Sequence, residues 1–310
     1  MPFEPVPAPS SAGRAGGAWA LAGAMLESLR PYQWLKNLLV FLPLAAAHRL
    51  TDIHLLALTA SGFVAFSLCA SAVYVFNDIH DRATDRQHPH KRFRAIASGR
   101  VPLRLAVASI PVLILLANLV AFSVNRALPL VMLFYIGLQA AYTLRLKEVI
   151  LLDAFVLATG YTLRVYAGEV ITGLAPPFTL LLLCALLFLS LALLKRYTEL
   201  SLLRDRDGAA AHARSYLLQD LDFVLALGVA SGLLAVQLFG LYLSADAPVG
   251  RAGRDLLVWI ACVLLLYWIS RMWLTAHRGR MRDDPLVFVI TDKVSLCLLT
   301  LTGISAWLAT

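Results

Sequence analysis

The chain has 310 residues, of which 60% are hydrophobic and only 15% charged, with a formal net charge of +8. Composition this apolar excludes an ordinary soluble domain and a charge-rich disordered chain. Nucleic-acid binding is excluded as well, because the basic residues form short clusters between apolar stretches, a pattern that fits anionic lipid headgroups and membrane topology.

In chain order, Met1 to Gly17 is rich in Pro, Ala, Gly and Ser without apolar periodicity and reads as a disordered tail. Glu4 and the early prolines stand where the basic region of a signal peptide would be. Ala18 to Leu29 reads as a short helix at the membrane surface, so residues 1–28 form a disordered or interfacial tail ahead of one transmembrane domain, 29–310. Apolar segments follow, centred near Val40, Val64, Leu113, Leu133, Leu157, Leu186, Leu233, Leu264 and Leu299. They predict an all-α, polytopic membrane helical bundle of about nine transmembrane helices, some near the lower length limit for a span. The four cysteines, Cys69, Cys184, Cys262 and Cys297, lie singly in apolar stretches and read as packing residues.

Charge sets the predicted orientation. Placing the N-terminus in the cytoplasm gathers Arg82, Arg86, Lys91, Arg92, Arg94, Lys147, Lys195, Arg196 and Arg280 on the cytoplasmic face. The opposite loops keep Arg49, Arg126, Arg251 and Arg254, as the positive-inside asymmetry requires.

Immediately after the second apolar segment comes Asn77-Asp78-Ile79-His80-Asp81-Arg82-Ala83-Thr84-Asp85. Asp78, Asp81 and Asp85 are three and four residues apart, so on a continuing helix they share one face. Like charges this close raise one another's pKa unless a cation lies among them. Oxygen ligands beside phosphate-binding groups suit Mg²⁺, which commonly binds through one or two carboxylates and a substrate phosphate. Asn77 is placed to orient a ligand. Ordinary solvated carboxylates paired with Arg82 and Arg86 are the bland alternative, and three in register at a membrane boundary favour the metal site.

The basic loop Gln87 to Arg94 adds Lys91, Arg92 and Arg94, the residue types that recognise phosphate and pyrophosphate. His88 and His90 flank Pro89 without a third soft ligand and are set aside as metal ligands. Lys36, Tyr142 and Lys147 lie at span ends, where each could equally be an interfacial anchor. Asp153 and Arg164 are eleven residues apart and fall near one helical face, an ion pair or a substrate contact. Lys195, Arg196 and Glu199 end the sixth segment, four spans after the acidic stretch, and place a second charged helix end opposite the first. Asp283 and Asp284 before Pro285 read as the end of a loop.

From Arg30 onward the chain resembles the UbiA superfamily of intramembrane prenyltransferases, carried by Asn77, Asp78, Asp81 and Asp85 as an intact Asn-Asp-x-x-Asp-x-x-x-Asp motif. The resemblance implies a helical bundle with a lipid-facing cavity, and Mg²⁺ held by those four residues on a substrate diphosphate. Within the superfamily it is most similar to the decaprenyl-phosphate phosphoribosyltransferase branch. That likeness rests on Arg30 to Asn37, His88 to Arg94, Leu146-Lys147, Leu152-Asp153, and Lys195-Arg196-Tyr197 with Glu199. It implies phosphoribosyl pyrophosphate as donor, a polyprenyl phosphate as acceptor, Asp78, Asp81 and Asp85 as catalytic metal carboxylates, and Lys91, Arg92, Arg94 and Lys195 as phosphate contacts. Ala95 departs from the family's usual Pro, and the second aspartate-rich motif of aromatic prenyltransferases is replaced by Lys195 to Glu199. The alternative is a prenyltransferase that passes a chain from a polyprenyl diphosphate to an aromatic or other acceptor. An ion-coupled transporter using Asp153 and Arg164 is a third reading. For a bacterial chain the predicted location is the plasma membrane, with the site facing the cytoplasm.

Overall fold

The computed structural model describes residues 14–207, 212–213, 216–245, 252–281 and 285–310. Arg214, Ser215, Asp283 and Asp284 lie outside them. Among the described residues, twelve α-helices follow one another: α1 Arg14–Leu29, α2 Leu42–Ala46, α3 Ile53–His80, α4 Arg82–Gln87, α5 Leu103–Val124, α6 Leu128–Leu144, α7 Leu152–Thr172, α8 Phe178–Asp207, α9 Leu221–Ser244, α10 Ala252–His277, α11 Pro285–Thr291 and α12 Lys293–Ala309. Short 3₁₀ helices cover Pro31–Phe41, Lys91–Phe93, Leu146–Glu148 and Leu218–Asp220. A minimal antiparallel ladder pairs His212–Ala213 with Tyr216–Leu217.

All the predicted apolar centres fall on helical elements, but not all on long ones. Five helices are long and apolar enough to cross a membrane, those within α3, α5, α8, α9 and α10. Helices α6 and α12 are apolar but shorter, and α7 carries Asp153, Arg164 and Glu169. The segment around Val40 is a 3₁₀ helix that continues into the short α2. Helix α5 turns Leu105, Val112, Leu115, Leu119 and Phe122 outward, as a lipid-facing surface would.

Among the described residues, two large apolar cores and a smaller third hold the bundle. One joins α7, α8, α9 and α10 through Val165, Leu193, Leu194, Val224, Trp268 and Trp273. The other joins α3, α5, α6 and α7 through Phe66, Ala117, Met132, Tyr135 and Ile171. Close approach depends on missing side chains. A Cβ at Gly168 would lie 2.1 Å from the Val40 carbonyl oxygen, so glycine lets the 3₁₀ segment run against α7. Helix α1 packs Ala24 with Val75, Ile96 and Val101, and Glu27 pairs with Arg100 at 2.6 Å, which ties the start of the described chain to the acidic end of α3.

Polar contacts mark the two ends of the bundle. At one end lie the 77–94 segment, the end of α6 with Lys147, and the Lys195–Glu199 turn. At the other, the Asn125 amide donates to Val170 O, Arg254 to Leu243 O and to Ala309 O, and the His48 ring meets Thr310 Oγ1 at 2.8 Å.

Candidate active site

Helix α3 ends at His80, with Asp81 as its C-cap and as the residue before α4. The i→i−4 bonds survive the break: Asp81 N donates to Asn77 O at 2.9 Å and Asp85 N to Asp81 O at 2.8 Å. The acidic motif therefore keeps nearly helical spacing, while its carboxylates separate. Asp81 and Asp85 face a cavity together with Asn77 and Thr84. Asp78 is buried behind them, paired with Arg30 and, at 3.3 Å, with Arg94.

Each carboxylate has a cation. Arg94 reaches Asp85 at 2.6 Å as well as Asp78, and Lys147 donates to Asp81 Oδ1 at 2.7 Å. His80 Nδ1 lies 3.0 Å from the same Asp81 oxygen. Burial alone would raise the Asp81 carboxyl, but the hydrogen bonds of Lys147 and His80 outweigh it and hold its pKa below the usual aspartate value. Burial, with Lys91 and His90 nearby, lowers the His88 pKa, so its ring is neutral near pH 7.

The cavity has a volume of about 590 Å³. The motif forms one wall, extended by His88, Lys91 and Arg94, and the facing wall carries Tyr142, Lys147, Glu148, Lys195 and Glu199. The charged end of α3 thus meets Lys195 and Glu199 across one cavity, but these two lie within α8, which runs on to Asp207, and not at the helix end the sequence suggested. The remaining predicted residues lie around it. Arg92 rests on the Phe93 ring, 4.8 Å from its centroid. Lys36 lines a neighbouring apolar cavity. Arg196 and Tyr197 are buried beneath the wall, Tyr197 with its hydroxyl 2.8 Å from His277 Nδ1.

Asp153 and Arg164 do not form the predicted ion pair. At 1.5 Å rise per residue, eleven residues separate them by about 16 Å along α7. Asp153 pairs with Arg196 at 2.6 Å and accepts from the Tyr216 hydroxyl at 2.6 Å. Arg164 donates to Asn37 Oδ1 at 2.7 Å and to Tyr135 Oη at 3.0 Å, and its guanidinium lies among the Phe66, Tyr135 and Tyr161 rings. The transporter reading loses the charged pair it needed.

Sequence reasoning missed two groups. Arg30, the partner of Asp78, adopts a left-handed conformation at φ 51° just before Pro31, and its pairing across 48 residues leaves no local signal. Glu148 lines the cavity beside Lys147; its adjacency to that lysine was the available cue.

No three His, Cys, Asp or Glu side chains converge on a ready cation site among the described residues. The donor chemistry nonetheless fits a hard divalent ion. Asp81 and Asp85 with Asn77 offer oxygen ligands on the cavity wall, and Mg²⁺ that completes its shell with waters and substrate phosphate needs no third carboxylate.

Residues 37–295 match the UbiA prenyltransferase family. The chain belongs to that family. It is therefore a transferase, built as a helical membrane bundle. Nodulation protein NoeC of Azorhizobium caulinodans is 38% identical to it, over 89% of this chain and 90% of that one. Decaprenyl-phosphate phosphoribosyltransferase of Mycobacterium tuberculosis is 35% identical, over 94% and 93%. Uncharacterized protein y4nM of Sinorhizobium fredii is 35% identical over 87% of this chain, which spans 52% of that longer protein. A UbiA homologue from Archaeoglobus fulgidus, solved with DMAPP and Mg²⁺, superposes with a TM-score of 0.66 at 16% identity, covering 92% of this chain and 99% of that one. That likeness is one of fold.

Proposed function

We propose that this UbiA-family member is a Mg²⁺-dependent transferase that moves phosphoribose from phosphoribosyl pyrophosphate to a polyprenyl phosphate and releases pyrophosphate. One observation carries the reading: a single cavity sets the oxygen donors Asn77, Asp81 and Asp85 beside Lys91 and Arg94 and opposite Lys147 and Lys195. A reaction that brings together a pyrophosphate, a sugar phosphate and a lipid phosphate needs more cations than one metal supplies, and this cavity has them spread around its walls. The similarity to decaprenyl-phosphate phosphoribosyltransferases over most of the chain supports the same donor and acceptor.

Mg²⁺, when bound by Asp81 and Asp85, would supply charge neutralisation for the leaving pyrophosphate. Lys91 and Arg94 hold the pyrophosphate from the same wall, and Lys147 and Lys195 receive the remaining phosphates. A lipid phosphate oxygen forms its bond to the anomeric carbon of the ribose as the carbon–oxygen bond to pyrophosphate breaks. The chain's part is to align these groups and balance their charge. Glu148 and Glu199, carboxylates on the wall facing the motif, are acceptors suited to ribose hydroxyls and have no use in binding an unfunctionalised prenyl chain. The basic face bearing the cavity is assigned to the cytoplasm, where a soluble sugar phosphate is available.

The test is direct. Purified protein in detergent with Mg²⁺, labelled phosphoribosyl pyrophosphate and decaprenyl phosphate is expected to give a labelled lipid. Transfer from a prenyl diphosphate to an aromatic acceptor, with no labelled lipid, would overturn the reading. Asp81→Asn should remove turnover while the protein keeps its elution profile; full retained turnover would remove the metal site.

A further inference from the structure

Two carboxylates share one buried guanidinium beneath the cavity wall that faces the acidic motif. Arg196, on α8, is buried; its Nε lies 2.6 Å from Asp153 Oδ2, and its Nη1 donates to Glu199 Oε2. The approach to Asp153 is a charge contact without the alignment of a hydrogen bond, and Arg196 Nη2 has no partner among the described residues. A guanidinium grips a carboxylate most strongly as a fork, with Nε and Nη2 each taking one oxygen. Asp153 does not close that fork, because its other oxygen, Oδ1, accepts from the Tyr216 hydroxyl at 2.6 Å. The hydroxyl itself accepts from Leu151 N at 3.0 Å, which directs its proton to Asp153. Tyr216 and Asp153 are fully buried, so solvent does not compete for this bond. At the far end of the chain of contacts, Glu199 lines the polar cavity. With Oε2 on Arg196, Oε1 is the oxygen left to a ligand.

We propose that Tyr216 is a positioning residue for the sugar of the donor, acting through Asp153 and Arg196 on Glu199. By satisfying Asp153 Oδ1, its hydroxyl keeps that carboxylate from taking Arg196 with both oxygens, and the guanidinium stays shared with Glu199. Arg196 then fixes the Glu199 side chain, whose free oxygen accepts from a ribose hydroxyl. Tyr216 does not line the cavity and touches no substrate. Remove its hydroxyl, and Asp153 Oδ1 turns to Nη2, the fork closes, and Glu199 loses its anchor. This rests on the phosphoribosyl-transfer reading, but it assigns the sugar and not the pyrophosphate to these contacts. Lys91 and Arg94, which hold the pyrophosphate in that reading, belong to the opposite wall.

Calorimetry of the purified protein in detergent with Mg²⁺, using phosphoribosyl pyrophosphate and plain pyrophosphate as the two ligands, tests this without turnover. Tyr216→Phe should weaken phosphoribosyl pyrophosphate about tenfold or more, the scale of one hydrogen bond to a charged group, and pyrophosphate by less than about twofold. Asp153→Asn added to Tyr216→Phe should return donor binding to within about threefold of the wild type, because a neutral amide competes less for the guanidinium. In a Glu199→Gln background, Tyr216→Phe should have no further effect on the donor, since the contact it serves is already gone. Unchanged donor binding in Tyr216→Phe, an equal loss of pyrophosphate, no rescue by Asp153→Asn, or losses that add with Glu199→Gln would each overturn the positioning role. Where Tyr216→Phe is recovered unfolded, the double variant with Asp153→Asn carries the test: donor binding near the wild type supports the role, and a loss of about tenfold overturns it. The two proposals fail distinguishably. Normal phosphoribosyl transfer with an unaltered donor KM in Tyr216→Phe removes the positioning role and keeps the function. A wild type that binds phosphoribosyl pyrophosphate no better than pyrophosphate, and transfers no phosphoribose, removes the function and the role with it.

Discussion

Asp81, a metal ligand in the function proposed above, is a part-buried carboxylate that its neighbours hold ionised. Its burial favours the neutral acid, and Lys147 and His80 reverse that preference. Because its folded pKa lies below that of an unfolded aspartate, the ionised pair contributes stability above about pH 4 and loses it as pH falls through the folded value. Lys147→Met leaves the burial and removes the principal opposing bond, so the Asp81 pKa should rise. The acid limb of kcat/KM against pH, at saturating Mg²⁺, should therefore move to higher pH. A limb that stays in place would show that the proton on Asp81 does not govern turnover. At this scale the motif was legible because its chemistry lies in local spacing: three aspartates and an asparagine within nine residues. Arg30 was not, because nothing near it in the chain announces Asp78. The same holds for Asp153, whose partners come from α8 and from the ladder before α9.

Between elements, Tyr216 ties the α8–α9 connection to the first turn of α7. Its hydroxyl donates to Asp153 Oδ1 and accepts from Leu151 N at 3.0 Å, where Leu151 holds a positive φ of 63°. Asp153 in turn pairs with Arg196, which also pairs with Glu199 on the cavity wall. Tyr216→Phe would leave a buried carboxylate oxygen and a backbone N–H short of a partner, at a cost of about 1–3 kcal/mol. A lower Tm in detergent is the expected result, and an unchanged Tm would show that the latch carries little stability. Gly168→Ala tests a different contact. Its methyl would meet backbone at Val40, not the tip of a flexible side chain, so α7 and the Pro31–Phe41 segment must separate. The cost of such overpacking is roughly 1–3 kcal/mol, again read as a loss of Tm. Hydrophobic pattern located these elements. It did not reveal that residues 31–41 would be a 3₁₀ helix, because the glycine that accommodates them lies far along the chain on α7.

For the molecule as a whole, the predicted orientation rests on one asymmetry seen twice. In the sequence, the loops bearing Arg82 to Arg94, Lys147 and Lys195 are far more basic than those bearing Arg49, Arg126 and Arg254. In the structure, the basic segments converge on the cavity, while Arg254 closes the other end against Ala309 and Leu243. Positive charge is retained on the cytoplasmic side during insertion, so the end that holds the polar cavity should face inward. On the function proposed above, the same clustering would also place phosphate-binding groups where a soluble donor arrives, so that topology and chemistry would draw on one charge distribution. Single cysteines in a background lacking Cys69, Cys184, Cys262 and Cys297 can decide it. Cysteine at exposed Arg86 should be labelled by a membrane-impermeant maleimide only in inside-out vesicles, and cysteine at exposed Arg126 only in intact cells. The reverse pattern would invert the molecule and place the cavity away from any cytoplasmic sugar phosphate. Labelling of both positions from one side would break the alternation of helices on which the shared cavity depends.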